Sequence, residues 1–231
     1  MKQYKTLLIG IVLAVLPFNS ASAIIGFGIQ GGQNIFSVGE RSLENTGALA
    51  TIDTGPFENS GNLGIYLYLD IIPFVDLEVD ASIFGQEYDF TFGNRLANVG
   101  PYQAYWGGTS IYFTARKKIA GFELPILGGA QLFAGGGSNT HSFAPLVSLD
   151  LVESLMDGNL SAQPEFDEKA LVKFIKDNKI DKTGIHLQGG LKFQLFMLDA
   201  FLFYRQTIGE FEDVLDAKTY GSMNFRLGFG F

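Results

Sequence analysis

The 231-residue chain carries 16 lysines and arginines against 24 acids, a formal charge of −8, and no cysteine. The absent thiols exclude disulfides, thiolate metal centres and cysteine catalysis, and an acidic balance is the wrong sign for nucleic acid, whose phosphates demand clustered Lys and Arg. With 22 Phe, 9 Tyr and 29 Gly, the composition suits a β protein, either a soluble sandwich or a membrane barrel.

Residues 1–23 have the pattern of a secretory signal: Lys2 and Lys5, an apolar stretch over 7–16 ended by Pro17, then the small-residue sequence Ala21-Ser22-Ala23. About ten apolar residues are too few to span roughly 30 Å of hydrocarbon as a helix. Without cysteine there is no lipobox anchor. Cleavage would remove two lysines, bring the charge to −10, and leave 24–231 as a single domain.

From there the chain repeats a period of two. Over 24–33, Ile25, Phe27 and Ile29 alternate with Gly26, Gly28 and Gln30; over 63–71, Leu63, Ile65, Leu67 and Leu69 alternate with Gly64, Tyr66, Tyr68 and Asp70. A break at Ile72-Pro73-Phe74 follows. The segment 75–84 sets Val75, Leu77, Val79, Ala81 and Ile83 against Asp76, Glu78, Asp80 and Ser82. Side chains alternate faces along a strand, so this segment has one aliphatic face and one acidic face, which fits a lipid exterior and a wet interior. A fourth strand is predicted over 109–116, a glycine-rich fifth over 125–135, a sixth over 184–193 and a seventh over 199–207. The fifth and seventh have no legible facing. Residues 223–231 form the eighth, with Met223, Phe225, Leu227, Phe229 and Phe231 on one face and Asn224, Arg226 and two glycines on the other.

This last segment resembles the C-terminal assembly signal of outer-membrane β-barrels, with Phe229 and Phe231 at its antepenultimate and final aromatic positions. The expected tyrosine is replaced by Phe229. Connections alternate short and long along the chain, the pattern of short periplasmic turns and longer external loops. The resemblance is to small outer-membrane β-barrel proteins of the OmpA, OmpX and OmpW kind. It implies an all-β, closed antiparallel up-and-down transmembrane barrel in a bacterial outer membrane, with both ends periplasmic. Lipid and, during assembly, the outer-membrane insertion machinery are the implied partners. Eight strands are expected, or ten if 47–55 or 89–94 pair as extra strands.

An eight-stranded barrel has an interior just wide enough for side chains. The inward faces supply Asp70, Asp76, Glu78 and Asp80 with Arg116, Lys192 and Arg226 as counter-charges, so ion pairs and water are expected to fill the lumen rather than a wide pore. The segment 138–182 is too long for a plain loop. It contains two helix-like runs, 145–156 and 166–178, which form either a cap on the barrel mouth or a platform for a ligand, a partner or the outer leaflet. Tyr102, Tyr105 and Trp106 read as interfacial aromatics or as a sugar-binding shelf.

Chemistry is sparse. His141 stands at the start of the long loop and His186 faces the lumen; His141 with the adjacent Ser142, and His186 with Ser138, could imitate a base–nucleophile pair, but nothing in the sequence supplies the base-to-hydroxyl reach and third orienting group of a nucleophilic site. Gly135-Gly136-Gly137 lacks the Lys-Ser/Thr of a phosphate loop. Asp76, Glu78 and Asp80 lack the carbonyl ligands of a calcium site. No catalytic residue, metal or cofactor is assigned. The leading reading is a non-enzymatic barrel, structural or passively handling small solutes, with a loop-based adhesion protein and a lipid-modifying enzyme as alternatives.

Overall fold

The computed structural model describes residues 24–45, 50–72, 74–94, 98–124, 128–155 and 168–231. The predicted signal segment, Pro73, Pro125 and the middle of the long loop lie outside the described residues. Ten strands, β1 (Ile25–Val38), β2 (Arg41–Asn45), β3 (Ala50–Thr54), β4 (Phe57–Ile72), β5 (Val75–Gly93), β6 (Asn98–Leu124), β7 (Gly128–Phe143), β8 (Ile180–Leu195), β9 (Leu198–Gly209) and β10 (Thr219–Gly230), are joined by helices α1 (Leu149–Leu155), α2 (Glu168–Asp177) and α3 (Glu212–Leu215).

Eight of the strands close a ring. Every ladder is antiparallel, β1 pairs with both β4 and β10, and the β5–β6 pairing completes the circuit. Followed once round, the ladder runs Ile25, Leu69, Leu77, Ala115, Gly136, Leu187, Gln206, Gly221 and returns to β1 at Ile35, ten residues from its start. With eight strands about 4.8 Å apart, that stagger tilts them by about 40° and gives a backbone radius of about 8 Å. Side chains from opposite walls therefore meet in the middle. Closure also leaves no unpaired edge in the ring, the condition for crossing hydrocarbon with strands. Among the described residues no helix is long and apolar enough to cross a membrane.

β2 and β3 do not enter the ring. They form a hairpin whose β3 pairs with the far end of β5, from Thr51↔Gly93 to Thr54↔Phe90. The count is eight in the barrel, and the additional pairing continues the wall beyond it.

Exposed apolar side chains form a belt around all eight strands: Phe27 and Ile29 on β1, Ile65 on β4, Val79 on β5, Phe113 on β6, Leu132 on β7, Leu187 on β8, Leu202 on β9 and Phe225 on β10 are each 39 % or more exposed. The residues that alternate with them in sequence are buried or half-buried. This is an inside-out soluble barrel, and burial of the belt in lipid is what makes it stable. The inward faces of β7 and β9 are now fixed: Phe133, Asn139 and His141 on β7, and Asp199, Phe201, Phe203, Arg205 and Thr207 on β9, are all buried.

Most strands extend beyond the segments read from sequence. β5 and β6 rise as a hairpin to Gly93 and Asn98, so the expected long loop between them shrinks to four residues. β7 continues to Phe143 and β8 begins at Ile180, which trims the long loop to 144–179. Gly135-Gly136-Gly137 falls inside β7 rather than at a strand end. The apolar outer face stops at the edge of the hydrocarbon, but the hydrogen-bonded ladder does not.

Candidate functional site

The lumen is filled in layers, described here from the short-turn end to the long-loop end. At the short-turn rim, half-buried Asp70 hydrogen-bonds with Asp76 beside a cleft of about 450 Å³ also lined by Lys117 and Lys192. Just inside, Lys192 Nζ lies 3.1 Å from the Tyr68 hydroxyl and 3.5 Å from Asp199, and the Tyr68 hydroxyl donates to Asp199. A side chain at Gly26 would run into the Tyr68 ring, so the glycine opposite is what lets the ring lie across the lumen.

The next layer holds the charge cluster. Glu78 and Asp80 on β5 point inward and are 2 % and 1 % exposed. Arg116 on β6 bonds to Asp76 at 2.7 Å and to Glu78 at 3.0 Å. Arg226 on β10 reaches Glu78 at 2.7 Å and Asp80 at 2.8 Å, and Arg205 on β9 grips both oxygens of Asp80 at 3.1 and 2.6 Å. Two amides complete the set: Gln30 Nε2 donates to Asp80 and its oxygen accepts from Arg226, while Gln188 Nε2 donates to Glu78 and its oxygen accepts from Arg205. Aromatic faces flank the guanidiniums, with Tyr112 3.8 Å from that of Arg205, and Phe203 and Tyr66 at 4.5 and 4.8 Å from that of Arg226. Buried charge is tolerable only when it is paired and hydrogen-bonded; these groups pair with one another, with Arg226 Nη1 held by its ion pair to Glu78 and without a hydrogen bond of its own.

Of the seven residues named from sequence, Asp76, Glu78, Asp80, Arg116 and Arg226 are brought together in this cluster, Lys192 lies in the layer below with Asp199, and Asp70 stays at the rim. Five participants were not identified from sequence: Arg205, Asp199, Gln30, Gln188 and Tyr68. The signal for the first two was available. Asp199 and Arg205 have the same parity on a segment that is otherwise apolar, and a charge facing lipid near the midplane costs roughly 2–4 kcal/mol, so both had to point inward.

Above the charges lies a neutral polar layer. His141 is not at the start of a loop; it is buried within β7. Its Nε2 donates to Asn139 Oδ1 at 2.8 Å, which leaves Nδ1 to accept from the Ser110 hydroxyl at 2.7 Å. His186 Nε2 lies 2.9 Å from Thr114 Oγ1. The serines matched with the histidines from sequence go elsewhere: Ser142 donates to Asp181 at 2.6 Å, and Ser138 faces outward. Ser110, His141 and Asn139 thus have the order of nucleophile, base and orienting group, but Phe143, Phe211 and Tyr220 pack around the imidazole, with ring centroids 5.3–6.0 Å away, and cover it.

An aromatic plug closes the long-loop end. Trp106, expected at the membrane interface, is instead 1 % exposed inside the barrel against Phe36, Phe57, Phe84 and Phe143. Tyr105 faces outward, whereas Tyr102, although exposed, shares the face of Trp106 and lies against Phe90 with ring centroids 5.7 Å apart. The one-turn helix α3 inserts Phe211, Val214 and Leu215 into the mouth. Arg41 clips it in place, 2.8 Å from Asp216, whose other oxygen accepts from the Gly39 amide at 2.9 Å. At the opposite end of the barrel, Phe229 and Phe231 face outward; the Phe231 ring stacks on Phe27 at 6.1 Å, and its backbone oxygen accepts from the Ile24 and Ile25 amides.

No protein-family model and no curated protein matches the sequence. Solved structures similar to it include the N-terminal β-barrel domain of Pseudomonas aeruginosa OprF, at 12 % identity and a TM-score of 0.46 over 91 % of this chain and 99 % of that one. Neisserial surface protein A matches at 11 % identity and 0.43 over 89 % and 97 %. Ail, the attachment invasion locus protein of Yersinia pestis, matches at 13 % and 0.36 over 89 % and 98 %. The closed eight-strand ring, the apolar belt and the polar, filled interior are properties of the chain itself, and by them it is a small transmembrane β-barrel of the outer-membrane type.

Proposed function

We propose that this protein is a non-enzymatic, non-conducting barrel of the bacterial outer membrane, a structural element whose lumen is packed rather than open. One observation carries the reading: between the two rims the interior is occupied in turn by the Lys192–Asp199 pair, the six-residue charge cluster, the histidine layer and the aromatic plug. A solute crossing it would have to break buried ion pairs, each break costing several kcal/mol. The enzymatic alternative rests on Ser110, His141 and Asn139. Their enclosure under Phe143, Phe211 and Tyr220 weighs against it, because a nucleophile must be reachable by its substrate. The surface-binding alternative draws support from the β2–β3 and β5–β6 hairpins, which project beyond the belt on the long-loop side.

The test is electrical. Purified protein inserted in planar bilayers should show no stepwise conductance, and liposomes containing it should retain small polar and apolar solutes. Reproducible unit conductance or solute-selective leakage from the unmodified barrel would refute a closed structural role and return the protein to solute passage.

A further inference from the structure

The outer surface of the wall carries a groove of about 480 Å³ just above the apolar belt, between the β6–β7 wall and the C-terminal end of α2. Its place relative to the membrane follows from the strands. Ile83 and Ile111 are the last outward aliphatic residues on β5 and β6; the next outward positions, Gly85 and Thr109, already line the groove, with the exposed Tyr105 beyond them. Two residues of strand rise about 7 Å, so the groove lies at headgroup depth. Its floor is bare backbone at Gly85, Gly107 and Gly108, where small residues leave the wall open, and its upper side is Ile175.

The charge on this groove has one sign. Lys176 and Lys179 line it, and no carboxylate does. Lys179 also pairs with exposed Asp181 at 2.8 Å, which leaves Lys176 as the groove cation with the wider freedom. Lys173 and Lys176 recur on α2 at a spacing of three, which puts them on one stripe of the helix. A strongly amphipathic helix with lysines on its polar face is suited to lie along a membrane surface.

We propose that this groove is a binding site for the phosphorylated headgroup of an outer-leaflet glycolipid, with Lys176 and Lys179 as the phosphate contacts and the glycine floor receiving the apolar face of a sugar ring or the root of its acyl chains. The inference rests on the outer-membrane reading above, because only then does the groove face that leaflet. Charge complementarity selects the occupant: an amphiphile at headgroup depth, apolar below and anionic above.

The experiment places the mature protein in phosphocholine nanodiscs and titrates a labelled diphosphoryl lipid A and its dephosphorylated counterpart. The diphosphoryl form should bind about thirtyfold tighter, as two juxtamembrane lysines near phosphate would supply. Lys176→Gln with Lys179→Gln should erase that preference, whereas Lys117→Gln, at the short-turn rim, should keep it. An equal affinity for the two lipids, or a preference that survives the double substitution, would overturn the site. Insertion is read separately from the gel-mobility shift between unheated and heated samples; a chain that fails to insert would overturn the membrane reading and the site with it, while insertion without phosphate preference would overturn the site alone.

Discussion

Replacing Asp80 by Asn changes the volume of the lumen very little and removes one of the two central negative charges. Asp80 meets Arg205 through both oxygens and Arg226 at 2.8 Å, with Gln30 as a further donor. Each such pair is worth about 4 kcal/mol of Coulomb energy at 4 Å and an effective dielectric constant near 20. The aspartate's own desolvation, several kcal/mol, is recovered when its charge is removed. Arg226 keeps Glu78 at 2.7 Å, but Arg205 retains only a contact of 3.9 Å to that residue. The net loss should therefore be about 3–5 kcal/mol, the usual cost of orphaning a buried cation. Asp80→Asn combined with Arg205→Gln removes the orphan, and the double variant should be less destabilised than the sum of the singles by about 2 kcal/mol.

Urea unfolding in phosphocholine liposomes measures this. The chain has a single tryptophan, and Trp106 is buried in the mouth plug, so its fluorescence reports opening of the long-loop end while gel mobility reports the whole barrel. A loss below about 1 kcal/mol for Asp80→Asn, or strictly additive singles, would refute the view that the cluster is a mutually satisfied network.

Further outcomes follow from the same architecture. Leu77→Arg puts a charge on the lipid face and should cost roughly 2–4 kcal/mol in liposomes if the site lies near the midplane, with Leu77→Val tolerated; cooperative refolding of the mature chain in water without lipid or detergent would contradict the membrane fold itself. A tag inserted at Glu44 should be reached by antibody on intact cells and one at Gly121 only after permeabilisation; equal labelling of both would contradict the proposed orientation. Deleting Phe231 should lower the yield of folded, heat-modifiable protein in the outer membrane, and an unchanged yield would argue against Phe231 as an assembly signal.

How much of this was legible depended on whether one face of a strand differed from the other. In 75–81 acids and aliphatics alternate strictly, so both the strand and the inward direction of Glu78 and Asp80 could be read directly. In 199–207 Phe201 and Phe203 point into the lumen and Leu202 and Tyr204 out of it, so both faces are apolar and hydrophobicity could not rank them; only the charges at Asp199 and Arg205 broke the tie. Trp106 misled for a related reason. A tryptophan close to a strand start suits the membrane interface, yet β6 begins eight residues earlier and parity places it inward. His141 was assigned to a loop because β7 above Ser138 has polar outward residues, Thr140 and Ser142, which look like loop when lipid burial is the only cue. The Ser110–His141–Asn139 arrangement could not be read at all, since it depends on the β6–β7 register that sets Ser110 opposite His141.

The cluster also explains how a glycine-rich barrel keeps its register. Strands poor in side chains specify pairing weakly, and a slip of one residue exchanges the two faces of a strand. The contacts of Asp80 are not between neighbours on one ladder: from β5 it reaches Gln30 on β1, Arg205 on β9 and Arg226 on β10, across the lumen. Those contacts exist only when the ring is closed and all four strands are in phase. A one-residue slip of β5 would carry Glu78 and Asp80 into lipid and strand three arginines inside, so the penalty falls twice, once on each side of the wall. The buried charges therefore contribute more to selecting one closed register than to the depth of the folded well, which a well-packed apolar lumen could match.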